Sequence, residues 1–413
     1  MNFVFPGTAS ELNSGTQNVT EKLWLTLWSF ALWKVLLLLV VLIAPLVLPA
    51  TGAFFPSTIA RARLPESVWV WGNFDGAHYV SIARSGYFPS LVPFFPLYPY
   101  LIKMAVEVSH ASYIVVGQVI SIVSLWFSLL VVYYLIAKDG LVKSYQLLLL
   151  ILLTFPTSFY YAALYNDALF FLFGCLTVLF ARRREWILVA LMSALATLAR
   201  LNGLALSVFI FLEYCVSQTR KENRAAQWDI RRLANSVWLS LVRLRKDHAG
   251  LLAILSGPLA FTGYLLWVER VFGNWNLVFS SMSVWQQDRV TLPLQVVWRY
   301  LKILFLTPPV GIVYWRASLE LFFVGFYVFL LLYSFKKIRF SYWIFFLVSI
   351  IIPSLTGTFA GMPRYGLHLY PFFLALTLWV EHLPNIYRKT YFVVSIGMLV
   401  IFLALFSRGY FVS

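Results

Sequence analysis

Apolar side chains run along this chain in long unbroken blocks, not in the alternating patterns of half-buried strands or amphipathic helices. The first, "LWLTLWSFALWKVLLLLVVLIAPLVLPA", exceeds the roughly 20 residues that cross a bilayer as helix. It predicts a helix over about 21–49, retained because it is too long for a cleaved signal peptide. A second helix is expected over about 112–137, ending at "KDGLVK". "YQLLLLILLTFPTSFYYAAL" and "ALFFLFGCLTVLF" follow as two short helices parted by "YND" at 165–167. The run 186–217 splits at "ARLNG", since Arg200 is ill placed at mid-depth and Asn-Gly is a turn signal. Helices over about 250–268, 317–335, 341–359, 365–383 and 391–411 complete about eleven crossings.

Between these blocks the polar positions define the organisation. A polar N-terminal tail, 1–20, reads as disordered or interfacial, and 21–413 as a single transmembrane domain. Its connectors are a first outer loop at 50–111, a basic loop at 218–249 and a second outer loop at 269–316. "LPLQVVWRYLKILFL" in the last of these suits a helix lying in the membrane surface. There is no short-period repeat and no pair of inverted halves of the transporter kind.

Composition agrees with the pattern: 61% of the 413 residues are hydrophobic and 12% charged, against about a quarter charged in soluble domains. The net charge of +16 by itself is compatible with nucleic acid. Its placement excludes that partner, because Lys and Arg gather at the ends of apolar segments and in 218–249. That is the distribution of cytoplasmic loops, and it puts the N-terminus inside and both long loops, 50–111 and 269–316, on the other face. Basic juxtamembrane segments also attract anionic lipid headgroups. Lys34 alone falls within the first helix. Cys175 and Cys215, both in apolar segments, read as small buried hydrophobes.

With only 16 acids in the chain, those on the outer side stand out. Asp75, in "WGNFDGAHY", shares a helical face with His78 and Tyr79. Partly desolvated among Trp71, Phe74 and Tyr79, it suits a general base, or else an interfacial cap or a salt bridge to Arg84. Asn166-Asp167 follow "FPTSFYYAALY"; Asp167 is either the N-cap of the next helix or a second acid facing the same cavity. Arg200 and Arg364 are lone cations at outer helix ends, suited to a phosphate or to snorkelling toward headgroups. No histidine, cysteine or acid cluster has metal-ligand spacing, and neither a phosphate-binding loop nor a nucleophile elbow occurs. A resident metal or cofactor is therefore not expected, beyond a weakly held cation between Asp75 and Asp167.

Taken in order, five blocks resemble the GPI mannosyltransferase 2 family. They are "NFDGAHYVSIARSGY" with "VPFFPLYPYLIK", "FPTSFYYAALYNDALFFLF", "LARLNGL", "VFGNWNLVFSSMSVWQQD" and "MPRYGLHLYPFFLAL". They depart from it at Phe74, where the family carries Trp, at Asn166, where it carries Ser or Thr, and at Gly273-Asn274-Trp275, where it carries Gly-Asp-Pro. The resemblance implies an all-α polytopic fold of the C-type glycosyltransferases (GT-C) and inverting transfer from a polyprenyl-phosphate sugar. The acceptor would be a hydroxyl of a lipid or glycan on the outer face. It implies Asp75 as the essential catalytic aspartate of the first outer loop, with His78 beside it. Arg364 and Arg200 would hold the lipid phosphate, and Asp167, Asn166, Trp71, Tyr79, Tyr87 and Tyr365 the sugar or acceptor. A bacterial plasma membrane is the expected location, with the endoplasmic reticulum as the alternative. The rival reading is a transporter or flippase of a lipid-linked substrate, which predicts charged or broken helices near the midplane.

Overall fold

The structure, a computed structural model, describes residues 9–51, 63–217, 228, 230–285, 287 and 289–412. Parts of the expected tail (1–8), outer loops (52–62, 286, 288) and basic loop (218–227, 229) lie outside the described residues. Every regular element among the described residues is helical. They are α1 (Ala9–Val47), α2 (Asp75–Ser85), α3 (Leu97–Ser109), α4 (Tyr113–Asp139) and α5 (Tyr145–Thr154). Next come α6 (Asp167–Arg183), α7 (Trp186–Ala199), α8 (Leu204–Ser217), α9 (Ile230–Leu244) and α10 (His248–Phe272). The chain ends with α11 (Pro293–Leu306), α12 (Ile312–Ser334), α13 (Phe340–Ser354), α14 (Tyr370–Glu381) and α15 (Asn385–Ser407). Residues 9–20 thus continue α1, where a separate tail was expected.

Five of these helices are long and apolar enough to cross a membrane: α1 from Glu21, α4, α10, α12 and α15. Between them stand shorter apolar helices, α5, α7, α8, α13 and α14 among them. Their outward faces carry Leu, Val, Phe and Trp, as in Leu38, Leu39, Leu42 and Ile43 of α1, because hydrocarbon is their solvent. The protein is an integral membrane protein. The break in 186–217 falls at Arg200 as expected, but the helix expected to run to the break at 165–167 ends at Thr154. Pro156 biases Phe155 away from helical backbone and ends α5, and the Ser158 hydroxyl caps the freed Leu153 carbonyl at 2.6 Å. At Arg200 the backbone turns extended and a single 3-10 turn, Leu201–Gly203, leads into α8. Gly203 is required there, since a Cβ would meet the Thr197 backbone at 2.4 Å.

One end of the bundle is tied by a buried ionic network. Glu213 of α8 accepts from Arg182 (3.3 Å), Arg339 (2.8 Å) and the Ser341 hydroxyl (2.6 Å). Asp139, at the end of α4, pairs with Arg182 at 3.5 Å and accepts from the Tyr342 and Tyr370 hydroxyls. Among the described residues these acids and arginines tie together the ends of α4, α6, α8, α13 and α14. Removing one member strands buried charge: Glu213→Ala is expected to cost about 3–5 kcal/mol. Thermal unfolding in detergent reads this; an unchanged midpoint would show the network to be ornamental. This end also carries Arg183, Arg184, Lys336, Lys337, Arg388 and Lys389, basic clusters on which the expectation of a cytoplasmic face rests.

Candidate active site

At the opposite end, three turns of chain converge. The first precedes α2. Leu164 N–H donates to the Trp71 carbonyl at 2.9 Å, and the Tyr165 hydroxyl to the Asn73 carbonyl at 3.0 Å. The Asn73 amide reaches the Phe406 carbonyl at the end of α15 (3.0 Å). Phe74 then takes a left-handed backbone (φ 55), uncommon for an aromatic residue, with its ring between Phe406 and Phe411. That turn starts α2 on Asp75. The second turn is "FPTSFYY", whose Thr157 hydroxyl donates to the Pro363 carbonyl (2.9 Å) and whose Tyr161 hydroxyl bonds the Leu367 carbonyl. The third is "GMPRYGLH" itself. The Tyr327 hydroxyl of α12 donates to the Met362 carbonyl (2.8 Å) and accepts from Gly366 N–H (3.0 Å). Gly366 must lack a Cβ, which would stand 2.9 Å from Phe372 and from the Tyr327 hydroxyl.

These turns bring together side chains far apart in sequence. Arg364 Nη1 donates to Asp75 Oδ2 at 2.9 Å, and its Nε lies 3.7 Å from Asp167 Oδ1. Arg200 Nη1 reaches the same Asp167 oxygen at 3.3 Å and Asn166 Oδ1 at 3.1 Å. His368 Nε2 is 2.6 Å from Asp167 Oδ1. Asp167 Oδ2 meets no donor among the described residues. The arginines are braced by rings: Arg364 stacks over Tyr160 and Tyr165, each at 5.2 Å, and Arg200 over Tyr365 at 5.4 Å. Exposure separates the two acids. The Asp75 side chain is 26% exposed and that of Asp167 is 0% exposed, so only Asp75 is open to an incoming molecule.

Burial and the nearby Arg200 charge hold the His368 imidazole neutral, with its pKa down to about 4. Its hydrogen bond to Asp167 opposes this without reversing it. The neutral form also fits the geometry: Nε2–H donates to Asp167, and the buried Nδ1, which has no partner, then carries no proton to strand. The folded protein therefore takes up this proton less readily than the unfolded chain. Its contribution to stability is present above about pH 6.5 and is lost as pH falls toward 4. In detergent, His368→Asn should flatten the acid side of the stability profile between those values. An acid limb identical to that of the unsubstituted protein would refute it.

The remaining sequence-derived candidates are placed differently. The salt-bridge partner of Asp75 is Arg364, not Arg84. The N-cap of α6 is Asn166, without a side-chain cap bond, and Asp167 is its first helical residue. Asn166 instead donates to the Ala199 carbonyl at 2.6 Å, fixing the end of α7. His78 does not join the ionic cluster; it packs between Phe94 (4.9 Å) and Trp285 (6.1 Å), where burial lowers its pKa and Asp75 partly offsets this. Trp71 and Tyr79 are each only 4% exposed, so neither offers an open ring face. Tyr79 fills the core against Phe94 and Tyr98 because α2 must bury one side. Tyr87 braces the loop through a 2.6 Å bond to the Phe94 carbonyl and contacts with Tyr264 and Trp267.

Sequence reasoning missed His368, Tyr160 and Tyr165 as members of the site. The signal for His368 was its place four residues after Arg364 in one turn-rich block. No set of three or more His, Cys, Asp and Glu side chains suited to a metal occurs among the described residues. Phe155, Phe322, Phe326, Trp379, Tyr387 and Met398 line an apolar cavity of about 340 Å³ between α12, α14 and α15, which extends from Phe155 to the start of α15. Its wall at Phe155-Pro156 directly precedes Thr157, the residue bonded to the Pro363 carbonyl.

No protein-family model and no curated protein matches the chain. Among solved structures it is similar to the archaeal oligosaccharyltransferase AglB from Archaeoglobus fulgidus, in complex with an inhibitory peptide and a dolichol-phosphate. The TM-score is 0.42 at 12% identity, over 93% of this chain and 56% of that chain. The chain thus spans little more than half the length of that structure's chain.

Proposed function

We propose that the protein is a membrane glycosyltransferase of GT-C type, moving a hexose from a polyprenyl-phosphate sugar to a hydroxyl on a lipid or glycan. Mannose is the sugar favoured by the sequence blocks. The observation that carries the reading is the partly exposed Asp75 carboxylate, held by Arg364 at the edge of a buried Asp167–Arg200–His368 cluster. An ordinary cap or surface ion pair needs no such backing.

The chemistry follows from the placement. The acceptor hydroxyl gives its proton to the Asp75 carboxylate as its oxygen bonds the anomeric carbon, inverting that centre. The bond from that carbon to the phosphate oxygen breaks, and its electron pair leaves with the polyprenyl phosphate. The leaving group is already a stable anion, so no strong general acid is needed. Arg364 and Arg200 are the groups that face the charge it gains. Asp167, fully buried, stays out of contact with substrate and holds Arg364, Arg200 and His368 in place. The apolar cavity beside Phe155 suits an isoprenoid chain.

Membranes containing the protein, supplied with radiolabelled polyprenyl-phosphate sugars, test the reading. Transfer to lipid or glycan is expected, and Arg364→Ala should raise the donor concentration needed by about tenfold or more, as loss of a charged hydrogen bond does. If no polyprenyl donor supports transfer, the reading fails.

A further inference from the structure

We infer that Lys34 of α1 is a binding residue for the phosphate of the lipid-linked donor, an inference that rests on the glycosyl-transfer reading. Lys34 stands near the middle of the span Glu21–Val47. Thirteen residues separate it from Val47, a rise of about 20 Å, farther than a lysine side chain reaches. It does not lie on the lipid face. Trp33, Leu37 and Val41 around it are buried at 4%, 0% and 2%, whereas Leu32, Val35 and Leu38 face outward.

A cation at that depth is costly unless an anion meets it. Among the described residues its one contact is the Trp71 ring, 5.2 Å from Nζ; no carboxylate or carbonyl accepts from it. Its surroundings lead to the site. Trp71 sits four residues before Asp75, and the neighbouring Trp33 donates to the Ser158 hydroxyl at 3.3 Å, two residues before the Tyr160 ring that carries Arg364.

The charge balance shows what is missing. Asp75 and Asp167 neutralise Arg364 and Arg200, and His368 is uncharged. Arg364 and Arg200 can donate to the phosphate, but their charges are already matched by Asp75 and Asp167, so the phosphate's own charge needs a further cation. The phosphate is anionic in the donor and gains charge when the sugar leaves. Lys34 is an unneutralised cation packed against the base of the catalytic loop, and Trp71 holds it there without cancelling its charge.

The test is binding and activity of the full chain in nanodiscs of neutral phosphatidylcholine. Geranylgeranyl monophosphate and the uncharged alcohol geranylgeraniol serve as probes. The unsubstituted protein should bind the phosphate at least tenfold more tightly than the alcohol. Lys34→Met should remove most of that difference while leaving the thermal midpoint equal or higher, since an unpaired buried charge is gone; Lys34→Arg should retain it. Equal phosphate binding by Lys34→Met overturns the inference. So does an effect seen only in nanodiscs containing phosphatidylglycerol, which would make bulk headgroups the anion. A lowered midpoint with both probes weakened alike would make Lys34 structural and also overturn it. The two readings fail separately. Transfer with unaltered donor dependence in Lys34→Met sinks the lysine but not the enzyme. Lys34-dependent phosphate binding with no transfer from any polyprenyl sugar sinks glycosyl transfer as the use of the site.

Discussion

Asp75→Asn should lower the rate of glycosyl transfer by roughly 10²–10⁴-fold, the usual contribution of a positioned general base. The substitution keeps size and hydrogen bonding but offers the acceptor hydroxyl no basic oxygen. Folding should survive it. The Asp75 side chain is part exposed, and Arg364 keeps a second carboxylate in Asp167 at 3.7 Å. The initial rate from a labelled polyprenyl-phosphate sugar, taken with a thermal melt of the same preparation, separates chemistry from stability. A rate within a few-fold of the unsubstituted protein would remove Asp75 as the base. Reduced donor affinity at an unchanged limiting rate would make it a binding group instead.

Asp167→Asn should act in the opposite sense, chiefly on the fold. One Asp167 oxygen accepts from Arg200 and His368 and lies against Arg364, and the residue is fully buried. Neutralising it leaves Arg200 without its carboxylate and Arg364 with only Asp75. Breaking a buried ion pair from one side costs about 3–5 kcal/mol, and the turns that carry Arg364 and His368 should loosen with it. The double variant Asp167→Asn/Arg200→Met should recover part of the loss, because the stranded cation is gone; the non-additivity measures the coupling. Melts of the two single variants and the double in detergent check this. Additive losses would mean that the two side chains do not act on each other.

The same cluster explains how the candidate residues divide. Asp75 and Arg364 are 289 positions apart and Asp167 and His368 201 apart, yet each pair is in hydrogen-bonding contact. Nothing in local pattern or propensity couples such positions. The blocks in which they occur were nonetheless visible, since acids, glycines and prolines among hydrocarbon are anomalies along the chain. Trp71 and Tyr79 show the converse. Aromatic residues near an acid read equally well as sugar platforms or as packing, and only burial tells them apart.

The sequence by itself determined that the chain is helical and lives in a membrane, because segment length and hydropathy are local properties set by the bilayer's thickness. It also determined the break at Arg200–Gly203, where glycine acts on its own backbone, whereas the helix end at Thr154, before Pro156, falls ten residues short of the break expected at 165–167. Only the tertiary structure decided that Arg364 bridges Asp75 and Asp167, that His368 is buried against Asp167, and that Lys34 looks inward at Trp71. Charge pairing and burial depend on which turns of chain meet. That meeting is set by the packing of helices hundreds of residues apart.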